Sequence, residues 1–161
     1  MGKSLWGNLD ELANEVRLPK DILVEQAEYL KQKFDGLVKG RVLSVELSEM
    51  WDNFYKGLGV MRDFSFAFII FSDYIKRYQY EICKVTYGIK IYPVAVSFGP
   101  GIAEEVSETF DLEDGDTIIV YDEELLLSVL EKILSSGEVH QVLSGLVSIA
   151  QKERISEDVP F

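Results

Sequence analysis

The sequence predicts an α+β domain: an antiparallel β-meander of four to six strands, with one N-terminal and two C-terminal helices packed on one face. Three observations predict it. Apolar spacing is helical near both ends of the chain and changes to a period of two in the middle. The period-two segments follow one another through short turns, which suits antiparallel pairing. Every phenylalanine and tyrosine except Phe161 falls between Tyr29 and Tyr121, and aromatic residues favour strands. Helices at the chain ends need a sheet face on which to bury their stripes.

Each element has its own signal. Residues 1–18 read as an arm or a short helix, with Leu9, Leu12 and Val16 on one side and Trp6 packing it. Pro19 opens a helix over 20–35, because its missing N–H would be unpaired there anyway. Asp21 favours the helix dipole. Leu23, Ala27, Leu30, Phe34 and Leu37 form its stripe, and Gly36 stands where a C-terminal cap belongs. Leu43, Val45 and Leu47 then alternate with Ser44, Glu46 and Ser48 as a half-buried strand. Trp51 to Gly59, with Gly57 and Gly59, reads as a loop.

Phe64, Phe66, Phe68 and Ile70 line one face of the second strand. Ser65, Ala67, Ile69 and Phe71 make the other face apolar too, so this strand is expected to be central or covered on both sides. Tyr78, Tyr80 and Ile82 mark a third strand, and Tyr87-Gly88 a turn. Ile89 to Phe98 reads as a fourth strand, where Pro93 argues for an edge or a bulge. Asp114-Gly115, between Phe110-Asp111-Leu112 and Ile118-Ile119-Val120, signals a hairpin. Asp122 caps a helix carrying Leu126, Val129, Leu130 and Ile133, which Gly137 closes. A last helix runs from about Glu138 to Lys152, and 154–161 reads as a loose tail. The 161 residues form one expected domain.

Composition narrows the function. With 47% hydrophobic residues the chain has material for a core without disulfides or a structural metal; a chain this long buries roughly 70% of its unfolded surface. The formal net charge of −12 repels nucleic-acid phosphates and anionic membranes, so neither is the expected partner. One cysteine excludes an internal disulfide, and Cys83 reads as a small buried hydrophobe. Met1 to Trp6 has no apolar signal stretch and lacks the Ser or Thr of a myristoylation pattern. The longest apolar run, Phe66 to Phe71, is far below the ~20 residues a bilayer needs. A reducing cytoplasm is the expected location.

Chemistry has little to draw on. One histidine and one cysteine, on different elements, leave no stock for metal sites or nucleophile–base pairs. The acidic tract from Glu104 to Asp116 offers oxygen ligands, but an EF-hand register on Gly115 puts Phe110 and Tyr121 at the first and twelfth positions. Asp63, Asp73 and Glu81 lie beside aromatic strands and are the best acid–base candidates. His140, early in the last helix, reads as a surface or packing residue. Gly57-Leu58-Gly59 lacks the third glycine of a dinucleotide fingerprint. No catalytic residue, metal ligand or cofactor is assigned.

Binding has one candidate patch. Tyr74, Tyr78, Tyr80, Tyr87 and Tyr92 interleave with Lys76, Arg77, Lys84 and Lys90. Such a surface suits cross-strand pairing, a protein interface, or stacked single-stranded nucleic acid, which the global charge opposes. Tyr74, Arg77, Tyr78, Tyr80 and Tyr92 are the candidate binding residues.

Four stretches carry a resemblance. They are Leu5-Trp6-Gly7-Asn8; Leu18-Pro19 leading to Ile22-Leu23 and Glu25-Gln26-Ala27; Ile91 with Tyr92-Pro93-Val94; and Leu130-Glu131-Lys132-Ile133-Leu134-Ser135-Ser136. In this order they resemble a group of small bacterial proteins with no assigned activity. The resemblance covers about a third of the chain, implies a bacterial cytoplasmic protein, and brings no catalytic residue. The leading expectation is a non-enzymatic module that binds another protein or a second copy of itself. The alternatives are an acidic inhibitor that imitates nucleic acid, and a small-molecule binder or enzyme with an aromatic pocket.

Overall fold

The computed structural model describes residues 2–13, 16–46 and 49–158. Five strands form one antiparallel sheet in sequence order: β1 Lys39–Ser44, β2 Phe64–Phe71, β3 Gln79–Tyr87, β4 Val94–Phe98 and β5 Thr117–Val120. This is the expected meander. α1 (Pro19–Lys33) precedes it, while α4 (Glu123–Leu134) and α5 (Gly137–Asp158) follow it. Ile22 and Leu23 of α1, Leu126, Val129, Leu130 and Ile133 of α4, and Val139 and Leu146 of α5 share one core. Phe68 and Ile70 of β2, Val94 and Val96 of β4, and Ile118 and Val120 of β5 complete it. Leu47, Ser48 and the last three residues of the expected tail lie outside the described residues.

Local rules explain the helix ends. Pro19 starts α1 after the extended Leu18. At the other end Asp35 and Gly36 both take positive φ, 52° and 77°. Gly36 N–H donates to Lys31 C=O at 2.8 Å, closing a Schellman turn. The Asp122 carboxylate accepts from Leu125 N–H at 2.8 Å, capping α4 as its sequence suggests.

β2 is buried on both faces, with Ala67 and Ile69 on one side and Phe68 and Ile70 on the other. The β2–β3 register shifts between Phe68 and Ile69, so Ile82 has no partner opposite it. This bulge lets consecutive Ile82 and Cys83 both enter the main core.

Several expectations are corrected. Trp51 to Gly59 is largely helical: α2 spans Glu49–Gly57. Trp51, Phe54, Tyr55 and Leu58 recur at helical spacing, a signal stronger than the two glycines. Tyr55, Phe54 and Leu58 pack with Val60 on Ala95 and Ile119, which alternate with the main-core residues of β4 and β5. Helices therefore lie on both faces of the sheet. A short α3 (Pro100–Val106) follows Gly99, with Pro100 in its first turn and Ile102, Ala103 and Val106 joining the main core.

Pro93 is neither on an edge strand nor in a strand bulge. β4 starts after it, at Val94, and lies between β3 and β5. The Asp114-Gly115 turn forms, with φ of 54° and 78°, as a primed hairpin turn requires. Its first arm reduces to one bridge, Glu113 to Thr117. Gly137 opens α5 instead of closing α4, and α5 continues to Asp158, past the expected end near Lys152.

Candidate functional site

The main apolar face is covered by helices, with a cavity left between them. Gly40 explains one wall. A Cβ there would lie 2.8 Å from the Phe68 ring and 3.1 Å from Ala27 Cβ, so α1 sits directly on β1. α4 packs beside β5 at the other edge, and α3 and α5 pack together. Over β2 and β3, between α1 and the α4–α5 pair, a trough remains. One lobe of about 240 Å³ is floored by Phe68, Ile70 and Ile82 and walled by Leu30, Leu134, Val139 and Leu143. A second lobe of about 420 Å³ lies between Ile22 of α1 and Leu127 and Leu130 of α4. Both lobes are bounded by Gln26 and Leu134, so they adjoin. The polar rim is Tyr29, Lys33, Glu131, Ser135 and His140. Such a surface can take an apolar body and orient it through a few polar groups.

The opposite face carries a different depression of about 240 Å³. Trp51, Tyr55, Glu81, Lys84, Ser97 and Asp116 are among its lining residues. Its polar groups serve one another. The Tyr55 hydroxyl is hydrogen-bonded with Ser97 and Thr86, and burial raises its pKa above the usual phenol value. Thr86 Oγ1 lies 3.0 Å from Ser65 Oγ. Lys84 Nζ lies 3.8 Å from Glu81 Oε1. Trp51 stacks on Tyr55 with centroids 6.2 Å apart.

A third cleft of about 460 Å³ lies at one end of the sheet, between Met61, Asp63 and the 88–93 connection. Asp63 accepts the Ile89 N–H at 3.1 Å. Ile91 holds φ at 73°, a strained value for a β-branched residue.

The candidate binding residues divide into two groups. Tyr74, Arg77 and Tyr78 sit in the β2–β3 connection, and Tyr80 follows at the start of β3. Tyr80 donates to the Glu138 carboxylate at the head of α5, and burial, then Glu138, raises its pKa. Tyr92 is placed apart, just before β4 and at the opposite end of β3. Among the described residues, its buried hydroxyl has no hydrogen-bond partner. Burial, then Glu123 and Asp122, pushes its pKa up to about 12.

Asp63, Asp73 and Glu81 do not converge. Asp63 precedes β2, Asp73 follows β2 and pairs with Lys39, and Glu81 pairs with Lys84. Among the described residues, no three of His, Cys, Asp or Glu are grouped as metal ligands. Within the acidic tract, Glu105 accepts the Gly137 N–H at 2.8 Å and so caps α5. Cys83 is buried, and burial pushes its thiol up to about 12. Among the described residues, no helix is long and apolar enough to cross a membrane.

No family model, curated protein or solved structure matches this chain.

The sequence carries the trough's residues but not the trough. Leu30, Val139 and Leu143 read as ordinary core stripes. Only the placement of α1 opposite α4 and α5 brings them to one opening.

Proposed function

We propose that the protein is a protein-binding module whose trough between α1 and the α4–α5 pair receives the apolar side of an amphipathic helix. The observation that carries this reading is the trough itself: an apolar cavity of about 240 Å³ over the buried Phe68, Ile70 and Ile82, between helical walls and with a polar rim. A helix laid in a groove uses this arrangement, anchoring side chains at three- and four-residue spacing. The partner is another protein or a second copy of this chain, in keeping with the acidic charge that repels phosphates and anionic lipid. A reducing, cytoplasmic setting suits the lone thiol, which is buried at Cys83.

Selection from a displayed library of helical peptides tests this. The full chain should enrich peptides with apolar residues at i, i+3 or i+4, and i+7. Leu127→Asp, placing a carboxylate at the trough wall, should weaken them at least tenfold. No enrichment, or peptides that bind the variant equally well, would overturn the reading.

A further inference from the structure

The segment before α1 carries apolar residues that the rest of the chain leaves uncovered. Leu5 is 93% exposed, Trp6 80% and Leu12 74%, and Leu9 and Val16 are also exposed. Leu9–Ala13 already forms a 3₁₀ helix, and Asn8 Oδ1 accepts the Asp10 N–H at its head. Leu9, Leu12 and Val16 recur at three- and four-residue spacing, as on one side of a helix. We propose that this arm is the helix the trough receives, and that it docks in the trough of a second copy, so that two chains exchange arms. The inference rests on the proposed groove function and names its occupant.

The length fits. The trough follows α1 from Ile22 to Lys33, about 17 Å of helix. Leu9 to Val16 wound as a helix covers about 11 Å, and Leu5 and Trp6 extend it.

The joint selects the second copy. The arm enters α1 at Pro19, only three residues before Ile22 begins the trough wall. Docking on its own chain would require reversal within Val16–Leu18. There Leu18 is extended and Arg17 is paired with Glu25 of α1. A connection too short to reverse favours exchange between copies. Two arms in two troughs close a two-fold dimer.

Sedimentation of the full chain with mixed-label NMR tests the exchange. A spin label on Lys3→Cys, in a Cys83→Ala background, is carried by unlabelled chains mixed with nitrogen-15 chains. A dimer with broadening of the Gln26, Leu134 and Leu143 amides in the nitrogen-15 chains is expected. Leu9→Asp with Leu12→Asp should weaken association at least tenfold and leave circular dichroism unchanged, since both side chains are exposed in the single chain. A monomer, broadening only within the labelled chain itself, or a dimer broadened elsewhere would overturn the exchange. If library-selected helices still bind the trough while the arm does not, only the exchange falls. If neither binds, the groove function falls with it.

Discussion

The two faces of the sheet solve opposite problems. The face under α2 carries polar groups, and they are matched internally: Tyr55 with Ser97 and Thr86, and Thr86 with Ser65. The face under α1, α4 and α5 is almost wholly apolar, and its roof is split. The difference follows from what burial costs. A buried hydroxyl without a partner loses its hydrogen bonds to water at once. Apolar surface loses only area-proportional free energy while uncovered. A polar face must therefore be completed within the chain, whereas an apolar one can be completed by another molecule.

The largest expected effect breaks the apolar face. Phe68 is among the largest fully buried side chains and floors the trough. Phe68→Ala should cost about 3–5 kcal/mol in urea unfolding, through lost burial and the cavity left behind. Gly40→Ala acts on the same face from the other side. Its Cβ meets the Phe68 ring and Ala27, so α1 must shift, at about 1–3 kcal/mol in the same measurement.

Single hydroxyls, Tyr55 on the polar face and Tyr92 against the main core, are probed by smaller changes. Tyr55→Phe leaves Ser97 and Thr86 without that hydroxyl and should cost about 1 kcal/mol. Tyr92→Phe should do the reverse. Its hydroxyl is buried without a partner among the described residues, so removing it should raise stability by about 1 kcal/mol. Opposite signs for the same chemical change would show that the Tyr55 network is complete and that the Tyr92 hydroxyl is an orphan.

Alkaline pH sharpens the comparison across both faces. The Cys83 thiol and the hydroxyls of Tyr55, Tyr80, Tyr87 and Tyr92 all have pKa values raised by burial. The folded chain therefore holds these protons more tightly than the unfolded chain does. Their contribution is fully present below the ordinary values of 9 for cysteine and 10 for tyrosine. It is lost as pH rises through the folded values, about 12 for Cys83 and Tyr92. Urea midpoints should fall across pH 9 to 12.

Much of the fold was legible because it rests on local rules. The Asp122 cap and the Asp114-Gly115 turn each fix an element from a few neighbouring residues, whereas the alternation from Leu43 misplaced the first strand, since β1 runs Lys39–Ser44 and Val45 and Glu46 follow it. α2 was legible too, through Trp51, Phe54, Tyr55 and Leu58, but glycine weighed too heavily against that spacing. The bulge at Ile82 was not legible, since it depends on register with β2. The trough has the least trace in sequence, because it is a gap between helices far apart in the chain. The tyrosine patch shows the converse. Closeness in composition placed Tyr92 with Tyr78 and Tyr80, but the antiparallel register carries it to the other end of β3.

Hydrogen exchange on the full chain, free and saturated with a selected amphipathic helix, tests the apolar face most directly. Added protection should fall on residues 22–33 of α1 and on 134–143, with the α2 face unchanged. Protection centred instead on Tyr55 and Ser97, or none at all, would contradict it.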